Sequence, residues 1–91
     1  MARKRLVDGS FVDASIEIIK PDKWRPHGVR YRVAWIQGAN CRVLFDNHHG
    51  KSDHFHVDGV EHKYKFQGMD QLFEDFEEQV SILGGRIHDE T

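Results

Sequence analysis

Short runs of alternating apolar and polar residues, separated by turn-forming residues, constrain the fold of this chain most strongly. In Val29–Gln37 the odd-numbered residues from 29 to 35 are apolar, whereas Arg30 and Arg32 point to the opposite side. Phe11–Lys20 alternates in the same way. A period of two residues is typical of strands with one buried face. The first half of the chain is therefore predicted to form a sheet that covers a core.

The connections between the apolar runs are short enough to join neighbouring strands as hairpins. Gly38-Ala39-Asn40 precedes a run at Cys41–Asp46, and Asp58-Gly59 separates His54–Val57 from Val60–Phe66. Tight turns with glycine or asparagine join antiparallel strands. We expect an antiparallel meander of four to six strands.

A single helical period follows the predicted strands. Between Met69 and Leu83 the apolar residues recur at steps of three and four, and Gly84-Gly85 supplies a stop. The acidic residues of this segment lie mainly outside the apolar stripe: Asp70, Glu74, Glu77 and Glu78. Such a helix is predicted to pack on one face of the sheet, with Tyr31, Trp35, Phe73 and Phe76 meeting in the core. The fold class is α+β.

Length and composition predict one domain, residues 1–91, because 91 residues cannot build two cores. We expect a frayed basic start at Met1–Arg5 and a polar tail at residues 86–91. No apolar run approaches the roughly 20 residues that span a bilayer. With a single cysteine, Cys41, and no signal-like segment, the chain is predicted to be cytoplasmic, with no membrane partner.

Charge is distributed unevenly along the chain. Residues 1–65 carry +4 and residues 66–91 carry −6, which together give the formal net charge of −2. If the strand registers agree, four cations should lie on the sheet face opposite the helix: Arg30, Arg32, Lys63 and Lys65. We expect this face to bind the phosphates of a nucleic acid.

The segment Asp46–His56 holds the residues best suited to chemistry. Alternation places His54 and His56 on the same side of a strand. Histidine transfers protons near neutral pH, and Lys51 could stabilise a developing anion. RNA suits such a set because its own 2′-hydroxyl is the nucleophile, so no metal or cofactor is needed. Asp46 or Asp53 would orient an imidazole.

Two alternatives compete with acid–base chemistry for the same segment. His54 and His56, together with Asp46 or Asp53, could supply the three ligands that a zinc site needs. In the other alternative, Asp46–His56 is a structural loop whose polar side chains bond to its own backbone, with Gly50 at positive φ.

The polar residues of this segment resemble a tract of the TumE family of toxin–antitoxin proteins. The similarity extends over roughly Val29 to Val80, more than half of the chain. The matching positions are Tyr31-Arg32, Asp46, Asn47, Gly50, Lys51, Asp53, His54, His56, Tyr64-Lys65-Phe66 and Leu72-Phe73-Glu74-Asp75-Phe76. Three departures concern Phe45 in place of Tyr, Ser52 in place of Gly, and His48-His49 in place of a charged pair.

The resemblance implies a bacterial or archaeal toxin whose gene lies beside that of a helix-turn-helix antitoxin. Combined with the residues above, it predicts an RNA-directed toxin of a type II system, a metal-independent ribonuclease. In that protein Lys51, His54 and His56 would act on substrate, with Arg32 on phosphate. The alternative is a non-enzymatic module that acts by binding a partner.

Overall fold

A computed structural model describes residues 2–48 and 50–88. It contains one antiparallel six-stranded sheet, whose strand order is the order along the chain, and one helix. The elements are β1 (Ala2–Arg5), β2 (Phe11–Ile18), β3 (Val29–Gln37), β4 (Asn40–Asp46), β5 (His54–Val57), β6 (Val60–Lys63) and α1 (Met69–Ile82). The predicted α+β meander with a C-terminal helix is confirmed.

The core lies between α1 and one face of the sheet. The odd-numbered residues Tyr31, Val33 and Trp35 of β3 are fully buried in one cluster with Leu72 and Phe76 of the helix. The helix lies over β4. Of the four aromatic residues expected in the core, Tyr31, Trp35 and Phe76 are buried, and Phe73 packs against the cluster partly exposed. Within residues 2–48 and 50–88, no helix covers the opposite face of the sheet, which is called the helix-free face below.

The prediction of a frayed N-terminus is wrong for residues 2–5, and Met1 lies outside the described residues. Ala2–Arg5 forms an edge strand in which Arg3 lies opposite Asp13. The Arg3 guanidinium donates two hydrogen bonds to the Asp13 carboxylate, at 2.7 and 3.0 Å, and lies 4.5 Å from the centre of the Phe11 ring. Cross-strand pairs of this kind hold a basic segment in a sheet.

Three predicted boundaries differ from the structure. β2 ends at Ile18 instead of Lys20, and α1 ends at Ile82, with Leu83 as its C-cap. β6 ends at Lys63 instead of Phe66, although the Tyr64 amide still donates to the Asp53 carbonyl, at 3.3 Å, in the register of the β5–β6 pair. In the predicted tail, Ile87 packs against the core, and residues 89–91 lie outside the described residues.

Gly85 fits a close approach between the end of the helix and the sheet. A Cβ atom added there would lie 2.3 Å from Cγ1 of Val80 and 2.9 Å from Cζ2 of Trp35. The Trp35 ring is itself fixed, since its Nε1 donates to Ser10 Oγ at 3.0 Å. Glycine at 85 therefore lets the chain after α1 close directly over the buried indole.

Candidate functional site

A row of polar residues crosses the helix-free face at one end of the sheet. The strand registers place Arg32 opposite Asp46, Asp46 opposite His54, and His54 opposite Lys63. Because directly opposed residues of antiparallel strands project to the same side, all four side chains share this face. The meander thus brings together residues that are up to 31 positions apart in the sequence.

His54 is the buried member of this row, with 7% of its surface exposed. Its Nδ1 lies 2.8 Å from the carbonyl oxygen of Ser52, and its Nε2 lies 2.7 Å from Oδ1 of Asp46. A carbonyl oxygen can only accept, so Nδ1 carries a proton. Nε2 lies against the Asp46 carboxylate, so the ring is held between two oxygen partners. Asp46 is therefore the one of the two candidate aspartates that contacts His54.

His56 lies beside His54 and is more accessible. The two ring centres are 5.1 Å apart, and the His56 side chain is 29% exposed. Its Nε2 lies 3.3 Å from Oε1 of Glu61, and Lys51 Nζ donates to the same oxygen at 3.2 Å. This hydrogen bond from Lys51 holds the pKa of the Glu61 carboxyl below its ordinary value. Lys51, His54 and His56 thus meet at one place, with Glu61 between Lys51 and His56.

The alternation pattern did not identify Glu61, although the hairpin implied its position. The Asp58-Gly59 turn pairs Val57 with Val60, and this pairing places His56 opposite Glu61. Among the described residues, Nδ1 or Nε2 of His54 and of His56 and a carboxylate oxygen of Glu61 all lie within 4.8 Å of one another. The sets considered from sequence paired the histidines with Asp46 or Asp53. Glu61 completes this group instead.

Asp53 belongs to a different environment, and the structure does not bring it into the histidine cluster. Its carboxylate accepts from the Tyr31 hydroxyl at 2.6 Å, from Asn47 Nδ2 at 3.1 Å and from His27 Nε2 at 3.1 Å. Burial raises the pKa of the Tyr31 phenol, and the hydrogen bond to Asp53 raises it further. Asp53 therefore fixes the loop between β4 and β5 to the core.

Asn47 is the second anchor of that loop and is fully buried. Its Oδ1 accepts from the Tyr31 amide at 3.1 Å, and its Nδ2 donates to the Val29 carbonyl at 2.8 Å. These bonds continue the β3–β4 pairing with side-chain groups after the backbone of β4 diverges. Asn47 and Asp53 therefore have structural contacts, but these go to β3 and to the β2–β3 loop and not, as the structural alternative expected, to the segment's own backbone.

The loop between β2 and β3 closes the same end of the sheet, and sequence reasoning assigned it no part in the site. Arg25 donates from Nη1 to the Asn47 carbonyl at 3.1 Å and is held by Asp22, whose pKa the Arg25 hydrogen bond lowers. Trp24 lies against Gly50, which has φ of +74°. The position of Lys51 therefore depends on two loops.

The predicted basic face is only partly basic. Arg30 and Arg32 lie on it, Lys63 lies opposite His54, and Lys65 falls beyond the end of β6 and outside the sheet. Arg30 is paired with Glu17 on the neighbouring strand. Arg32 and Lys63 form no ion pair within residues 2–48 and 50–88. Two cations therefore flank the histidines on a face of mixed charge.

The family model described as toxin TumE matches residues 2–83, which include every strand and all of α1. No curated protein and no solved structure matches the chain. In the described part of the chain, no helix is both long enough and apolar enough to cross a membrane.

Proposed function

We propose that this chain, which belongs to the toxin TumE family, is a metal-independent ribonuclease. In this proposal it is the toxin component of a prokaryotic type II toxin–antitoxin pair. It acts in the cytoplasm on RNA and is neutralised by an antitoxin that contains a helix-turn-helix domain.

The observation that carries the proposal is the pair of imidazoles on the helix-free face. Their ring centres are 5.1 Å apart. Lys63 lies opposite His54, Lys51 contacts Glu61 beside His56, and Arg32 lies across β4 on the same face. Cleavage of RNA by its own 2′-oxygen needs a base, an acid and positive charge near the phosphate. This end of the sheet supplies all three, and Asp46 holds one of the imidazoles in place.

The geometry suggests different roles for the two histidines. His56 is the accessible ring and takes the proton of the 2′-hydroxyl while the O2′–P bond forms. His54 lies between two oxygen partners, and in its protonated form it delivers the Nε2 proton to the departing 5′-oxygen as the P–O5′ bond breaks. For that transfer the substrate must take the place of Asp46 at Nε2. Arg32 and Lys63 hold the phosphate, and Lys51 stabilises the added negative charge.

One observation favours the second candidate, a module that acts by binding a protein partner. Carboxylates of the fold already meet Lys51, Arg30, His54 and His56. Such pairs neutralise part of the charge that would attract RNA, so the same face would suit a polar protein interface. In that case, substitution of His56 would leave toxicity unchanged.

The two candidates are separated by an RNA cleavage assay with the purified chain. His56→Ala and His54→Ala should each lower the rate by ~10²–10⁴-fold, because each removes one proton-transfer group. His62→Ala is the matched control: His62 stacks on Phe55 on the opposite side of the hairpin, with ring centres 4.8 Å apart. A DNA strand of the same sequence should not be cut, and a chelator should not slow cleavage of RNA. Full activity in the His54/His56 double variant would refute the acid–base proposal.

The toxin–antitoxin assignment has its own test in cells. Induced expression of the chain should arrest growth and degrade RNA, and co-expression of the neighbouring gene should prevent both effects. Growth arrest with intact RNA in the wild type would leave the binding module as the explanation.

A further inference from the structure

We propose that His54, His56 and Glu61 also form a binding site for a divalent transition metal, Zn²⁺ being the best fit, and that the bound metal inhibits the toxin. Only the inhibition rests on the ribonuclease proposed above. The three donor groups approach within 4.8 Å of one another, so modest side-chain rotation brings them to a common ion. Two imidazoles and a carboxylate are a ligand set that Zn²⁺ uses, with a fourth position left for water.

One nitrogen of His54 is already fixed as in a metal-bound histidine. Its Nδ1 donates a hydrogen bond to the Ser52 carbonyl at 2.8 Å, so Nε2 is the nitrogen that can coordinate once it leaves Asp46 Oδ1, which lies 2.7 Å away. Metal-bound histidines commonly have their second nitrogen fixed in this way, to a backbone carbonyl or a carboxylate. Because His54 is also buried, its orientation is set before an ion arrives.

His56 and Glu61 supply the accessible half of the site. They are directly opposed in the β5–β6 hairpin, and His56 Nε2 is already 3.3 Å from Glu61 Oε1. The tight turn at Asp58-Gly59 fixes this pairing, with both turn residues at positive φ. The metal site therefore depends on the register of the β5–β6 hairpin and on release of His54 Nε2 from Asp46 of β4.

Lys51 provides a directional test of the proposed metal site, which an adventitious surface site would lack. Its ammonium group lies 3.2 Å from Oε1 of Glu61 and forms an ion pair with that carboxylate. A metal ion must displace it. Removal of Lys51 should therefore tighten metal binding by up to roughly fivefold, the range that exposed ion pairs support. The same change should weaken RNA cleavage.

The test is a titration of the full chain with Zn²⁺ alone, measured by isothermal titration calorimetry. The wild type should bind one ion, and His56→Ala and Glu61→Gln should each weaken binding at least ~10-fold, since each removes a ligand. Lys51→Ala should bind more tightly than wild type. His62→Ala and His88→Ala are controls because their rings lie outside the group. Circular dichroism and thermal unfolding without Zn²⁺ establish that each variant is folded.

Unchanged binding in both His56→Ala and Glu61→Gln would overturn the site, and so would loss of binding in either control. Weaker binding in Lys51→Ala would also count against it. Inhibition is measured separately, as the cleavage rate at saturating Zn²⁺ before and after a chelator. Undiminished cleavage by the Zn²⁺-loaded wild type would refute the inhibitory role. If the wild type cuts no RNA at all, the ribonuclease proposal and the inhibition fail together, whereas the titration still decides the metal site.

Discussion

Replacement of Asn47 by alanine should destabilise the protein more than any other single polar substitution in the β4–β5 loop. The change removes the acceptor of the Tyr31 amide and the donor to the Val29 carbonyl, at 3.1 and 2.8 Å in the wild type. Each buried backbone group left without a partner costs ~1–3 kcal/mol. Since Val29 is only partly buried and its carbonyl can regain water, we expect a loss of about 2–4 kcal/mol.

That loss is a large part of the total free energy of unfolding. A domain of this size is stabilised by roughly 5–14 kcal/mol, and each kcal/mol shifts the unfolding midpoint by ~4–8 °C. Asn47→Ala should therefore lower Tm by about 8–32 °C in a thermal scan and accelerate hydrogen exchange of the Tyr31 amide. Asn47→Asp should be worse near neutral pH, because it puts an oxygen against the Val29 carbonyl and a second carboxylate 3.1 Å from that of Asp53.

The matched control is Asn40→Ala. Asn40 is exposed at the start of β4, so its loss should change the free energy of unfolding by less than ~0.5 kcal/mol. The reasoning is refuted if Asn47→Ala and Asn40→Ala unfold at the same temperature. It is equally refuted if Asn47→Asp is as stable as the wild type, because the side-chain donor would then contribute nothing.

Three further predictions concern the core, the alkaline limit and the helix surface. Phe76→Ala should lower the free energy of unfolding by ~3–5 kcal/mol in a denaturant titration, whereas a loss near zero would mean that the ring is not in the core. Burial and, to a smaller extent, the hydrogen bond to Asp53 raise the pKa of Tyr31. The stability that the folded phenol contributes is therefore present below pH ~10 and is lost at higher pH, because the phenol of the unfolded chain ionises first. The decline should be about 1.4 kcal/mol per pH unit and shallower in Tyr31→Phe; identical slopes would contradict it. The double change Glu74→Lys and Glu78→Lys should leave RNA cleavage nearly unchanged, because both residues are exposed on α1, which covers the other face of the sheet. A large loss of cleavage in the folded variant would argue against a site on the helix-free face.

The sheet could be predicted because its determinants are local. Alternation in Val29–Gln37 shows which residues face the core, and the Asp58-Gly59 turn fixes the register that sets His56 opposite Glu61. The place of Ala2–Arg5 was missed for a physical reason. Its basic residues suggest a solvated end, whereas pairing of Arg3 with Asp13 depends on a residue ten positions away.

The candidate site was predictable only for residues that lie within the alternating pattern of the strands. His54, His56 and Asp46 share a face because they lie at fixed positions on paired strands. Asp53 was expected beside them, but its partners are Tyr31 and His27, and His27 comes from the β2–β3 loop. The return of that loop to the end of the sheet is set by tertiary packing, which no period in the sequence encodes. The charge of the helix-free face was overestimated because Glu17 lies opposite Arg30 across β2 and β3.

The order of the strands has a consequence for synthesis of the chain on the ribosome. Each strand pairs with the one made just before it, so every pairing closes a short loop and the sheet can assemble progressively as the chain emerges. The helix that covers the core is made last. Until Met69–Ile82 is released, Val33, Val43 and Phe45 present a bare apolar surface on an otherwise finished sheet. A nascent chain paused before residue 69 should therefore bind holding chaperones or aggregate, while one paused after the helix should not.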